Sequence, residues 1–315
     1  MAYQSPTWLR GGHAQTIWPA LAIKTPRPDY RRELWDTPDG ARIALDFVAG
    51  RPGAPLVVLF HGLEGSSDSH YARALMLAVQ RRGWHGVVPH FRGCGGVDNP
   101  LPRAYHAGDG AEVRWILSRL AQRFPILAAA AVSLGGSMLL NYLADEGALA
   151  LPRAAAAVSA PLDLVAASTQ LDRGLGKLLY TRMFMGTLKP KALESLQRHP
   201  GLFDEGKLSR ARTFIEFDDL VTAPIHGFGT ALNYWRSASA KPRLGQIALP
   251  TLVLNARNDP FLPEQALPRQ TDVAASVTLE FPRHGGHVGF ASGAFPGTLD
   301  WLPSRLLGFF EPHLD

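Results

Sequence analysis

The chain has 315 residues, a length that suits one large α/β domain with an insertion or two small domains, and its 46% hydrophobic and 19% charged residues are ordinary for a globular protein. Its single cysteine, Cys94, excludes an internal disulfide, and no stretch reaches the roughly 18 uninterrupted apolar residues of a membrane span. The N-terminus lacks the long apolar core of a cleaved signal, so a cytoplasmic location is expected. The formal net charge of +5 comes from scattered residues with no basic run beyond pairs such as Arg31-Arg32 and Arg81-Arg82. That distribution reads as a solvated surface rather than a nucleic-acid stripe.

In chain order, Arg42 to Val48 alternates polar and apolar residues, as an outer strand does. Leu56 to Phe60 is continuously apolar, as a strand covered on both faces would be. Tyr71 to Arg82 and Asp109 to Arg123 have helical spacing, and a short strand at His85 to Pro89 lies between them. A strand follows at 126–131, then a helix after Ser133 and a strand at 154–158. The runs of alanine at 128–131 and 154–157 sit where buried strands are expected. The last third repeats the alternation: a strand at Thr251 to Asn255, a helix from Glu264 onward, a strand at Val277 to Phe281 and a helix at Leu299 to Phe310. Strands alternating with helices predict an α/β fold, a mainly parallel doubly wound sheet with helices on both faces.

Between about Pro161 and Gln246 the strands stop and helical patterns take over. So long a connection between two sheet strands predicts an inserted helical cap over residues 161–246, with the core formed by 1–160 and 247–315. Ligands bind beyond the carboxyl ends of the strands in such sheets, so the cap would roof the site.

Ala131-Val132-Ser133-Leu134-Gly135-Gly136 lies at the junction of a strand and a helix. A serine between small residues at that junction has the pattern of a nucleophile elbow, although Ala131 stands where the usual G-x-S-x-G has glycine. A serine hydroxyl needs a base, and the base needs an acid to orient it. The chain order for this fold is Ser, then Asp, then His. Asp259 follows the strand Leu252 to Asn255, and His287 lies in the Gly-rich loop after the next strand. His284 competes with His287, and Asp163 competes with Asp259. The amide N–H of Leu134 stands where an oxyanion would form, and that of Leu63, in His61-Gly62-Leu63-Glu64-Gly65-Ser66, supplies a second donor. The side chain of His61 is expected to pin that loop, and Glu64 is either a loop-orienting carboxylate or a ligand contact.

Several blocks together resemble one family: His61-Gly62-Leu63-Glu64-Gly65-Ser66, Phe91-Arg92-Gly93-Cys94-Gly95-Gly96, Ser133-Leu134-Gly135-Gly136, Phe217-Asp218-Asp219 with Thr222-Ala223-Pro224, His226-Gly227-Phe228, and Gly285-Gly286-His287-Val288-Gly289-Phe290. With the N-terminal His13-Ala14-Gln15-Thr16-Ile17-Trp18, they resemble the YheT-like branch of the α/β-hydrolase superfamily, the AB hydrolase-4 family. The resemblance implies an α/β-hydrolase fold, a triad of Ser133, Asp259 and His287, and carboxylic-ester hydrolase activity on simple esters or lipids.

The leading expectation is a serine esterase acting through an acyl-enzyme on short- to medium-chain acyl esters or lipid esters. Thioesterase, peptidase or acyltransferase chemistry would use the same machinery. In the cap, Leu175, Leu178, Leu179, Met183, Phe184, Met185 and Leu188 line an acyl pocket or form cap core. With Lys177, Arg182, Lys189 and Lys191 nearby, a rival reading is an interfacial lipase or phospholipase whose cap makes a peripheral membrane contact. A second rival is a non-catalytic ligand-binding module. Cys94 reads as a small structural residue, and Asp218 and Asp219 as caps of a following helix. No phosphate loop or dinucleotide fingerprint occurs, and no His, Cys and carboxylate cluster completes a metal site, so no cofactor, metal or nucleic-acid partner is expected.

Overall fold

A computed structural model describes residues 2–314. The chain opens with α1 (Gly12–Leu21) and an antiparallel pair, β1 (Arg31–Asp36) and β2 (Arg42–Val48). There follow β3 (Leu56–Phe60), α2 (His70–Arg81), β4 (His85–Pro89), α3 (Gly110–Ala121), β5 (Leu127–Val132), α4 (Leu134–Glu146) and β6 (Ala154–Val158). Strands β7 (Thr251–Leu254) and β8 (Val277–Glu280) complete one eight-stranded sheet in the order β1-β2-β4-β3-β5-β6-β7-β8. From β4 to β8 every neighbouring pair is parallel, and β2 meets β4 antiparallel. The α/β class expected from the alternation is the one observed.

The interior strands form because their apolar runs have no polar break. β3, β5 and β6 are buried along their whole lengths, as strands covered on both faces must be. Ala128 to Ala131 pair in register with Ala154 to Ala157, giving a flat centre of small side chains. The fully buried Ala131 lies between Phe60 and Ala157, so its methyl is accommodated. One face of the sheet packs on α3 and α4 through residues such as Ile116, Leu117 and Met138. The other packs on α2 and on α12 (Trp301–Phe310) through Leu75, Val79, Leu306 and Phe310.

Between β6 and β7 every described element is helical. It forms α5 (Leu164–Leu171), α6 (Gly174–Gly176), a π-helical stretch Lys177–Thr181 and α7 (Arg182–Arg198). Then come α8 (Glu205–Arg210), α9 (Phe214–Phe217), a second π-helical stretch Asp218–Thr222, α10 (Ala223–Ile225) and α11 (Ala231–Ala238). Much of an apolar cluster distinct from the two sheet faces comes from this segment, through Tyr180, Phe214 and Trp235 among others.

Two local expectations need correction. The helix from Glu264 onward is instead two single 3-10 turns, Glu264–Ala266 and Gln270–Asp272. Pro268 ends the first turn, because its ring has no N–H to give and collides with a preceding helical carbonyl. Asp218 is no cap: it is buried, accepting bonds from the Thr222 hydroxyl (2.6 Å) and the Trp235 indole N–H (2.8 Å), and burial pushes its carboxyl up to about 6. Asp219 does serve a helix start, but a later one, taking the N–H of Ala231 at 2.6 Å. β1 and α1 carry no clear sequence signal, since β1 buries only Trp35 and the buried face of α1 is Gln15, Thr16 and Pro19.

Candidate active site

The sharp junction between β5 and α4 falls on Ser133, at φ 52° and ψ −125°. A non-glycine residue costs of order 1–3 kcal/mol in such a region and persists only when its surroundings fix it. Here the Ser133 N–H donates to Val158 O at 2.9 Å, and Ser133 O accepts from Gly136 N–H at 2.8 Å. The turn pushes the hydroxyl out of the sheet. Gly62 lies so close that a Cβ there would stand 3.0 Å from Ser133 Cβ and 3.6 Å from its Oγ.

Ser133 Oγ lies 3.0 Å from His287 Nε2, and His287 Nδ1 lies 2.9 and 3.2 Å from the two carboxylate oxygens of Asp259. Asp259 is 5% exposed and also accepts the Phe261 N–H at 2.8 Å. A carboxylate facing Nδ1 accepts a hydrogen bond from its N–H, the tautomer in which Nε2 faces the serine as the acceptor. The Phe261 ring stacks on the imidazole at 3.8 Å between centroids, fixing its plane. The competing residues lie elsewhere: His284 is exposed beside a different cavity, with Glu280 and Arg305, and Asp163 caps α5 by accepting the Ala166 N–H at 3.0 Å.

The loop carrying His287 is held by α1. Thr16 Oγ1 accepts the His287 N–H at 2.9 Å, and Gln15 Oε1 accepts those of Gly285 (2.9 Å) and the Asn258 amide (2.8 Å). Gly289 packs so tightly that a Cβ would fall 1.8 Å from Gln15 O. From the other side, Ser159 Oγ accepts the Val288 N–H at 3.0 Å.

The two candidate oxyanion donors are set differently. Leu134 is the first residue of α4, where N–H groups lack intrahelical partners and the helix dipole is positive. The Leu63 N–H shares a peptide with Gly62 O, and that oxygen accepts from His61 Nδ1 (2.7 Å) and Gly65 N–H (3.0 Å). In a trans peptide the N–H points opposite to the carbonyl, so fixing Gly62 O aims the Leu63 donor. His61 thus pins the loop, as expected: it is fully buried, accepts the Phe91 N–H on Nε2 at 3.1 Å, and burial pushes its imidazole down to about 3.

A family model described as the alpha/beta hydrolase fold matches residues 55–294. YheT of Escherichia coli (strain K12), whose name marks it as a candidate esterase, is 40% identical over 96% of this chain and 91% of its own length. The chain belongs to the YheT-like branch of the α/β-hydrolases. Phospholipase ABHD3 of Mus musculus is 30% identical over 99% of this hydrolase and 79% of its own length. A Pyrococcus furiosus esterase, Pf2001, superposes with a TM-score of 0.58 over 93% of this chain and all of its own, but at 14% identity that is a likeness of fold. The relatives named as esterase and phospholipase make a hydrolase the shared description.

In this hydrolase Ser133, His287, Leu63 and Leu134 line a cavity of about 330 Å³, whose wall includes Leu164, Phe184, Leu188 and Phe217 of the helical segment. The apolar row read from the sequence therefore divides. Phe184 and Leu188 face the cavity, and Met185 is buried in the segment's own cluster. Leu175, Leu178 and Met183 are more than half exposed, and Leu179 is 39% exposed. Cys94 is buried, and burial pushes its thiol up to about 11, so it stays protonated at neutral pH.

Sequence reasoning gave no role to Gln15, Thr16, Ser159, Tyr71, Tyr105 or Phe261. The N-terminal block His13 to Trp18 was the usable signal for the first two, since its polar residues at helical spacing have no apolar face to explain their burial. The others carry no local signal, because their contacts arise only when distant segments meet.

Proposed function

We propose that this hydrolase is a serine carboxylic-ester hydrolase working by acyl transfer, with the helical segment 161–246 as a cap over its site. The observation that carries the proposal is the aligned row Ser133 Oγ, His287 and Asp259, with hydrogen-bond spacings of 3.0 and 2.9 Å, on a strained elbow. Ser133 attacks the ester carbonyl while His287 takes its proton, and Asp259 stabilises the imidazolium. The tetrahedral oxyanion receives the N–H groups of Leu63 and Leu134, each worth about 3 kcal/mol of barrier where such donors have been removed. His287 then gives its proton to the leaving alcohol. Water, deprotonated by the same imidazole, attacks the acyl-enzyme and releases the acid. The apolar wall of the cavity favours the acyl chain of short- to medium-chain or lipid esters. We place the work in the cytoplasm.

One observation favours a lipid substrate met at a surface. Leu175, Leu178, Leu179 and Met183 are exposed within one helical run of the cap, with the exposed Arg173 and Arg182 beside them in sequence. Hydrolysis of p-nitrophenyl esters from acetate to palmitate, dispersed and in anionic vesicles, tests both readings with Ser133→Ala in parallel. Turnover that the variant abolishes is expected, and the chain-length optimum sizes the acyl site. Higher rates on vesicles favour the interfacial lipase. No turnover at any length moves the weight to a ligand-binding module.

A further inference from the structure

The loop after β3 carries a charged group that acyl transfer does not use. Glu64 adopts φ 57°, a left-handed backbone rare for a non-glycine residue. Its N–H donates to Tyr105 Oη at 2.9 Å, and the same hydroxyl donates to Glu64 Oε1 at 2.9 Å, closing a ring around the residue. The other carboxylate oxygen lies 2.7 Å from Lys191 Nζ, on α7 of the helical segment. The Glu64 side chain is 10% exposed and that of Lys191 40%, so the pair is partly shielded from water at the cavity wall. Cys94 Sγ lies within 3.7 Å of the same ammonium.

We infer that Glu64 is a positioning residue for the Leu63 oxyanion donor, and that Lys191 braces it from the helical segment; the inference rests on the acyl-transfer reading above. The peptides on both sides of Leu63 are held. Tyr71 Oη accepts the Gly62 N–H at 2.9 Å, His61 and Gly65 fix Gly62 O, and Tyr105 fixes the Glu64 N–H. The left-handed turn at Glu64 relaxes unless its amide and its side chain are both anchored. Lys191 supplies the second anchor from another element, so the seated helical segment and the assembled oxyanion hole become one state. Releasing the carboxylate lets the 63–64 peptide turn and draws the Leu63 N–H off target.

The test compares Glu64→Gln, Lys191→Met, the double variant and the conservative Lys191→Arg on p-nitrophenyl butyrate. Inhibition by an alkyl trifluoromethyl ketone, whose serine adduct carries an oxyanion, is measured alongside, with the Tm of each variant. Each single variant is expected to lose roughly ten- to hundredfold in kcat, because a misplaced catalytic donor costs on that order, with KM moving by less than about threefold. The ketone should weaken by the same factor as kcat. The double variant should be no worse than the poorer single one, as for two ends of one interaction. Lys191→Arg should retain most of the activity. A kcat within about twofold of the parent in Glu64→Gln, or a loss confined to KM, overturns the inference. So does a fall in Tm with ketone affinity unchanged. If those results appear while Ser133→Ala is inactive, the brace fails and acyl transfer stands; if Ser133→Ala is active, acyl transfer fails and takes the brace with it.

Discussion

Asp259 does two things with one carboxylate. It accepts a hydrogen bond from His287 Nδ1–H and another from the Phe261 N–H, and the Phe261 ring lies against the imidazole. Position and tautomer of His287 are thereby set by residues 259–261 together. In the proposed mechanism, Asp259→Asn offers an amide that favours the wrong tautomer, and kcat on a p-nitrophenyl ester should fall by roughly 10⁴-fold with the fold intact. A loss of less than about tenfold would remove Asp259 from the reaction. These three residues were legible because each follows a strand whose end the sequence marks: Ser133 after the alanine-rich β5, Asp259 after β7 and His287 after β8. Their rivals could be dismissed only in three dimensions, where His284 faces solvent and Asp163 is spent on a helix start.

Among the elements, α1 contributes most to the site for its size. Its ten residues insert Gln15 and Thr16 under the loop of His287, about 270 residues away in sequence. Gln15 is 2% exposed and links Ser5, Leu9, Asn258 and Gly285 through one amide group. Gln15→Ala leaves several buried polar groups without that partner, at a cost of about 1–3 kcal/mol each before water enters. We expect a lower Tm and a kcat loss that exceeds the KM change, read by thermal melting and ester kinetics on the same sample. In the sequence only the block His13 to Trp18 points to this segment, and its periodicity does not show the role. A helix is recognised by its apolar stripe, and α1 buries polar groups instead. β1 was hidden for a related reason, because an edge strand of charged residues with one buried Trp35 shows no apolar alternation. The interior strands were readable because burial on both faces demands unbroken apolar runs, and Pro268 could have been read as the end of the helix expected from Glu264.

At the scale of the whole molecule, folding buries several neutral imidazoles. Burial pushes His61 down to about 3, and His70, His106 and His226 down to about 4. Each accepts a proton near its usual 6.5 when the chain unfolds but resists it when folded. Their contribution to stability is therefore complete above about pH 6.5 and is lost as pH falls toward about 4. Asp46 acts in a lower window. Burial alone would raise it, but hydrogen bonds from Arg32, His90 and Ser67 outweigh that and hold it well below the usual carboxylate range. Its contribution is present above 3.8 and fades below that. Melting curves should show a Tm level near neutrality and falling from about pH 6.5 downward, the four imidazoles outweighing the opposite contribution of the raised Asp218 carboxyl. A Tm constant down to about pH 4 would contradict the burial of these histidines as neutral groups.

The central claim is that Ser133 is the nucleophile, activated by His287. A fluorophosphonate probe reacts with a serine whose proton a neighbouring base removes, and peptide mapping by mass spectrometry locates the adduct. Ser133 in the wild-type protein should carry the phosphonyl group, with ester turnover lost in step with labelling, and Ser133→Ala should carry none. An adduct on another residue, or labelling and turnover that persist in Ser133→Ala, would contradict the account.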